Sequence, residues 1–97
     1  MTEETKLRNK TKLFLQTLSS VHVDKISDRY TSGIPDFIGC CNGRYFAIEL
    51  KAKKGVVDPI QKYVMNDIKK TGGEAVVCRS IDDVISFMTV LISKGGV

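Results

Sequence analysis

The chain has 97 residues, 42% hydrophobic and 27% charged, a balance that suits one globular domain over residues 1–97 and excludes a disordered segment. Its formal net charge of +4 is compatible with a polyanionic partner without demanding one. No window approaches the ~18 consecutive apolar residues of a membrane span, so no membrane-spanning helix is expected among these residues.

Residues 3–20 read as an amphipathic helix, with Leu7, Thr11, Phe14, Leu15 and Leu18 on one stripe. Lys6, Arg8, Lys10 and Lys12 spread around it and read mainly as a solvated face. The charged opening MTEETKLRNK lacks the apolar run of a secretory signal, so an intracellular, cytoplasmic setting is expected. Residues 21–28 alternate weakly and read as a strand, where the single histidine, His22, is expected to be structural. Residues 29–35 form a turn around Gly33 and Pro35. Two β-rich runs follow, residues 36–41 and 44–51, separated by Asn42-Gly43, the preferred pair for a type I′ hairpin turn. Residues 52–57 are a loop. Asp58 then caps a second helix with Pro59 at its first position, Ile60, Val64 and Ile68 as its apolar stripe, and Lys69 and Lys70 before a Gly72-Gly73 stop. Residues 74–79 form a short strand. Ser80 and Asp83 resemble a capping box opening a last helix that runs to about residue 93. The order α-β-β-β-α-β-α predicts an α/β fold, a mixed sheet flanked by helices.

A two-residue turn fixes the hairpin register. Cys41 then lies opposite Arg44, Cys40 opposite Tyr45, Gly39 opposite Phe46, Ile38 opposite Ala47, Phe37 opposite Ile48, and Asp36 opposite Glu49. Directly opposed residues share a face, with Cβ atoms about 4.5–5.5 Å apart, and Lys51, two beyond Glu49, shares it too. The other face collects Phe37, Phe46, Ile48 and Leu50 as core. A bulge near Gly39 would shift this pairing. Two opposed carboxylates destabilise a sheet unless something bridges them, and a divalent cation does so, keeping positions for water and phosphate oxygens. An ordinary strand-end ion pair of Glu49 and Lys51 is the plainer alternative. Adjacent Cys40 and Cys41 are poor disulfide partners, Cys78 is left over, and no zinc spacing occurs, so three buried, reduced thiols are expected.

Gly33-Ile34-Pro35-Asp36, then Glu49-Leu50-Lys51, then Gln61 in the next helix, resembles the PD-(D/E)xK nuclease superfamily, and within it the VRR-NUC (virus-type replication-repair nuclease) domain. The resemblance covers nearly the whole chain. It implies a restriction-endonuclease-like fold and a metal-dependent endonuclease using Mg2+ or Mn2+. By position, Asp36 and Glu49 would be metal ligands with the Leu50 main-chain carbonyl, Lys51 the catalytic lysine, and Gln61 a residue positioning phosphate or water. A glutamate of the first helix often completes such sites. Glu3 and Glu4 are both candidates, and the helical wheel favours Glu4.

Lys53 and Lys54, with Arg29 and Tyr30, are candidate contacts to a DNA backbone; a solvated basic loop is the alternative for the two lysines. In the last helix Ile81, Val84, Ile85, Met88, Leu91 and Ile92 make one stripe, which Phe87 and Val90 widen. That excess suggests a partner surface. Small phage-type members of the family resemble Holliday-junction resolvases that act as homodimers, which implies shape-selective cleavage of four-way junctions or flaps. A phage origin accords with this. No sequence-reading module is evident, so backbone and shape are the expected targets. A DNA-binding module with a decayed site and a small protein-interaction domain are the competing readings.

Overall fold

A computed structural model describes residues 1–26 and 33–95. The elements are α1 (Glu3–Gln16), β1 (Val21–Lys25), β2 (Phe37–Cys41), β3 (Arg44–Leu50), α2 (Pro59–Lys70), β4 (Glu74–Cys78) and α3 (Ile81–Gly95), in the expected order. The strands form one sheet ordered β1-β2-β3-β4. The first three run antiparallel, and β4 joins β3 in parallel after the α2 crossover. None of the described helices is long and apolar enough to cross a membrane.

The hairpin register is the counted one, with Phe37 opposite Ile48 and Cys41 opposite Arg44. Asn42 (φ 51°) and Gly43 (φ 84°) both take the left-handed conformation that a type I′ turn requires. No bulge interrupts β2. Gly39 instead leaves room for the Phe46 ring across the pair, since a Cβ there would meet Phe46 Cζ at 2.8 Å.

Strand parity divides the core. Phe37, Cys41, Phe46, Ile48 and Leu50 face α1 and α3, where they meet Leu7, Leu15, Val84, Met88 and Leu91. The opposite face packs Ala47 and Ala75 against Met65 of α2, flanked by Ile38, Ile68 and Val77. Cys41 and Cys78 are buried and free, and burial raises both thiol pKa values, that of Cys78 to about 12. Cys40, expected to be buried, is exposed. It and its neighbour Tyr45 stand on the second face, outside the cluster that α2 covers.

The first helix ends at Gln16, short of the expected residue 20. The Thr17 hydroxyl and amide both donate to the Phe14 carbonyl, at 2.6 and 3.0 Å, closing the helix before the chain turns into β1. On α2 the buried side is turned from the expected stripe. Met65 is buried, Val64 and Ile68 are half-buried, and Ile60 is exposed. On α3, Val84, Met88 and Leu91 are buried, while Phe87 packs edge-on to Phe46 with centroids 6.3 Å apart. Phe87 therefore serves the core, whereas Ile85 and Val90 remain 38% and 54% exposed.

Thr11 is fully buried on α1, and its hydroxyl oxygen meets no hydrogen-bond partner among the described residues. A buried unpaired hydroxyl costs about 1–3 kcal/mol, and valine keeps the β-branched shape without it. Thr11→Val is therefore expected to raise stability by about 1 kcal/mol, or several degrees in melting temperature for a domain of this size. A lowered melting temperature would show that the hydroxyl is engaged.

Candidate active site at the open end of the hairpin

Beyond the last ladder pair, Phe37 with Ile48, the two strands present Asp36 and Glu49 to each other. The Leu50 amide donates to Asp36 Oδ2 at 2.7 Å, which stitches the Pro35-Asp36 entry onto β3 and fixes the carboxylate. The Asp36 carboxyl and backbone lie beside the Glu49 carboxyl, close enough to perturb it. Glu49 is only 5% exposed. Burial pushes its pKa up to about 8, and the neighbouring Asp36 carboxyl pushes the same way; the Lys51 ammonium and the Asp36 amide only partly offset them.

Lys51 continues past β3, its amide still bonded to the Cys78 carbonyl at 3.1 Å, so parity holds and its side chain stays on the carboxylate face. Its Nζ lies 3.9 Å from Glu49 Oε2. Gln61 comes from the first turn of α2. The Asp58 carboxylate accepts from the Gln61 amide, and Gln61 Oε1 accepts from the Asp58 amide at 3.1 Å, completing a reciprocal cap. With its oxygen so committed, the Gln61 side chain aims Nε2 at Glu49 Oε2, 2.6 Å away. The cap expected at Asp58 therefore also delivers a side chain to the site.

Gly33 seats the turn that carries Asp36. It has φ 83°, and a Cβ there would lie 2.9 Å from Val64 Cγ2 and 3.0 Å from the Ile60 carbonyl. The turn thus presses on the α2 backbone where no side chain fits, which locks Asp36 and Gln61 to a common frame.

Asp36, Glu49, Lys51 and Gln61 therefore come together. No hydrogen bond or ion pair ties Glu4 to them, and among the described residues no group of three Asp, Glu, His or Cys side chains is placed to hold a metal ion. Arg8, one turn further along α1, reaches the site instead, its guanidinium 3.1 Å from Asp36 Oδ1. Arg8, read as solvated, is the contact that the sequence reading missed; helical spacing from Glu4 is the only signal that pointed at it. Glu3 lines a neighbouring groove with Lys51 and Lys53. Lys54 is exposed. Arg29 and Tyr30 lie outside the described residues. His22 sits on the sheet's edge strand and pairs with Asp24 at 3.4 Å, away from this constellation.

The donor set suits a hard divalent cation of the Mg2+ type, with two neighbouring carboxyl groups, one of them buried and its pKa raised by burial and by the other. Such an ion takes one or two carboxylates and keeps water or phosphate in its other positions, so a third acidic side chain is not required. The Leu50 carbonyl is adjacent in sequence to both the Glu49 and Lys51 positions.

A family model of the VRR-NUC domain matches residues 3–82. A solved structure described as a "VRR_NUC domain" superposes with a TM-score of 0.77 at 24% identity, covering 92% of this chain and 97% of that one. Another, a "VRR_NUC domain protein", gives a TM-score of 0.76 at 20% identity, covering 96% of this chain and 90% of that one. At these identities the likeness is one of fold. No curated protein matches the sequence.

Proposed function

The chain belongs to the VRR-NUC domain family and has its nuclease-type fold, and from that premise we propose that it is a metal-dependent endonuclease hydrolysing DNA phosphodiester bonds. The observation that carries this reading is the buried Glu49 carboxyl held against Asp36, with Lys51 Nζ at 3.9 Å on the same face. Asp36 and Glu49, with the Leu50 carbonyl, would hold Mg2+ or Mn2+. The ion supplies Lewis-acid polarisation of the phosphate and a lowered pKa for bound water. Lys51 orients the attacking water or stabilises negative charge building on the phosphoryl oxygens. Gln61 fixes the rotamer of Glu49 through an amide that is itself tethered. Arg8 holds Asp36 from the other side, and each carboxylate oxygen retains a lone pair for the ion.

The substrate we favour is branched DNA, recognised by shape and backbone. This rests on the family and on α3, where the exposed Val90 lines, with Val76, Phe87 and Leu91, a groove of about 470 Å³ along the outer strand β4. A second copy docking through α3 would set two sites on one four-way junction or flap. The test is cleavage of linear, flapped, forked and four-way DNA with Mg2+ or Mn2+, with light scattering at high concentration alongside. Cation-dependent cleavage is expected, fastest on branched substrates. No cleavage of any substrate by the folded protein would overturn the nuclease reading. A strict monomer, or equal rates on linear duplex, would overturn the junction reading.

A further inference from the structure

An open groove of about 320 Å³ runs between α1 and the segment after β3, outside the carboxylate pair but sharing Lys51 with it. Its walls carry Lys6 and Lys10 of α1, Lys51 and Lys53 after β3, and Arg79 after β4, against one acid, Glu3. Lys6 and Lys10 are four residues apart, so they stand one above the other on the same helix face. Among the described residues, Lys6, Lys10 and Lys53 enter no ion pair.

Arg79 has a different role. Its Nη1 donates to the carbonyls of Ala52 at 2.9 Å, Lys53 at 3.4 Å and Gly55 at 2.6 Å. One guanidinium thus clamps the loop leaving Lys51 by three charge-assisted bonds, while the loop's own lysines stay solvent-facing. Arg79 Nη1 is committed to building the wall, and the three unpaired ammonium groups are left for a ligand.

That ligand must be polyanionic and continuous with whatever lies against Lys51. The described lining contains no aromatic side chain. Unpaired bases therefore find no stacking platform, which single-strand binders use. We propose that this groove is the track for the backbone of a paired DNA arm on one side of the bond to be cut, with Lys6, Lys10 and Lys53 each contacting a phosphate and no base being read. The place of that bond rests on the proposed function; occupancy of the groove does not.

The test measures binding of a labelled forked duplex in EDTA, so that no cleavage interferes, across a salt series. The variants are Lys6→Gln/Lys10→Gln and Lys53→Gln, with Lys62→Gln/Lys69→Gln on α2 as a control of equal charge. All lie at exposed positions, and their melting temperatures are checked against wild type. Each lost phosphate contact should lower the slope of log Kd against log salt by about 1, so the α1 pair loses about 2 and the control nothing. With Mg2+, the α1 pair should raise KM and leave kcat at saturation unchanged. Unchanged slope and affinity in the groove variants overturn the proposal, and so does an equal loss in the α2 control. A loss seen only with a single-stranded oligonucleotide overturns the paired arm. Variants that show the expected binding losses, beside a wild type that binds yet cuts nothing, overturn the nuclease reading and leave the groove standing. A wild type that does not bind DNA at low salt overturns both.

Discussion

Asp36→Asn, Glu49→Gln and Lys51→Ala should each lower the cleavage rate by about a thousandfold or more while leaving DNA binding largely intact, because each removes a charge that acts on the reacting phosphate. The choice of replacement follows from the contacts. Asp36→Ala would strip the Leu50 amide of its 2.7 Å acceptor and leave Arg8 without its partner, mixing a stability loss of about 1–3 kcal/mol into the rate. Asparagine keeps an oxygen for the Leu50 amide, and, with Nδ2 in place of Oδ1, gives up the Arg8 pair together with the charge. Glutamine at position 49 likewise keeps an acceptor for Gln61 Nε2. Lys51 Nζ approaches Glu49 Oε2 no closer than 3.9 Å and enters no other ion pair among the described residues, so its removal disturbs the fold least. The three act as a unit, so a double variant should be little worse than either single one. Single-turnover cleavage at saturating DNA checks this, and full activity in one variant removes that residue from the site.

The carboxylate pair was legible because a two-residue turn leaves the hairpin no slack. Counting outward from Asn42-Gly43 reproduces every observed pair, and parity carries the count to Asp36, Glu49 and Lys51. Asp58 was legible as a cap from local chemistry alone. What escaped depends on how elements sit against one another. A helical wheel orders Glu4 and Arg8 around α1 but cannot say how far along its axis the hairpin mouth falls; it falls at Arg8. The stripe on α2 was expected at Ile60, Val64 and Ile68, yet Gln61 must turn toward Glu49. That rotation brings Met65 into the core and swings Ile60 out to where Gly33 meets its carbonyl. Arg79 clamps a loop more than twenty residues earlier in sequence, a pairing with no local pattern.

The cation-free protein should lose stability as pH rises from 5 to 9, and Mn2+ should restore it most at the upper end. Glu49 has a pKa of about 8 when folded against an ordinary value of 4.5, so the folded state holds this proton more tightly than the unfolded chain does. The stability it contributes is full below pH 4.5 and is lost as pH rises through about 8. At about 1.4 kcal/mol per pKa unit, the loss is on the order of a few kcal/mol, enough to lower melting by about ten degrees or more in a domain of this size. Glu49→Gln removes the titrating proton and should flatten the fall between pH 6 and 9, with its stability exceeding that of wild type at the alkaline end. A divalent ion held by Asp36 and Glu49 would compete with the Glu49 proton, so its apparent affinity should climb with pH until Glu49 is fully ionised. Melting curves in EDTA and in excess Mn2+, for wild type and Glu49→Gln, separate the effects: the Mn2+ stabilisation of wild type should grow with pH, and the variant should show little at any pH. A flat wild-type profile in EDTA would deny the buried, carboxylate-opposed state of Glu49. An undiminished Mn2+ shift in the variant would place the ion elsewhere on the molecule.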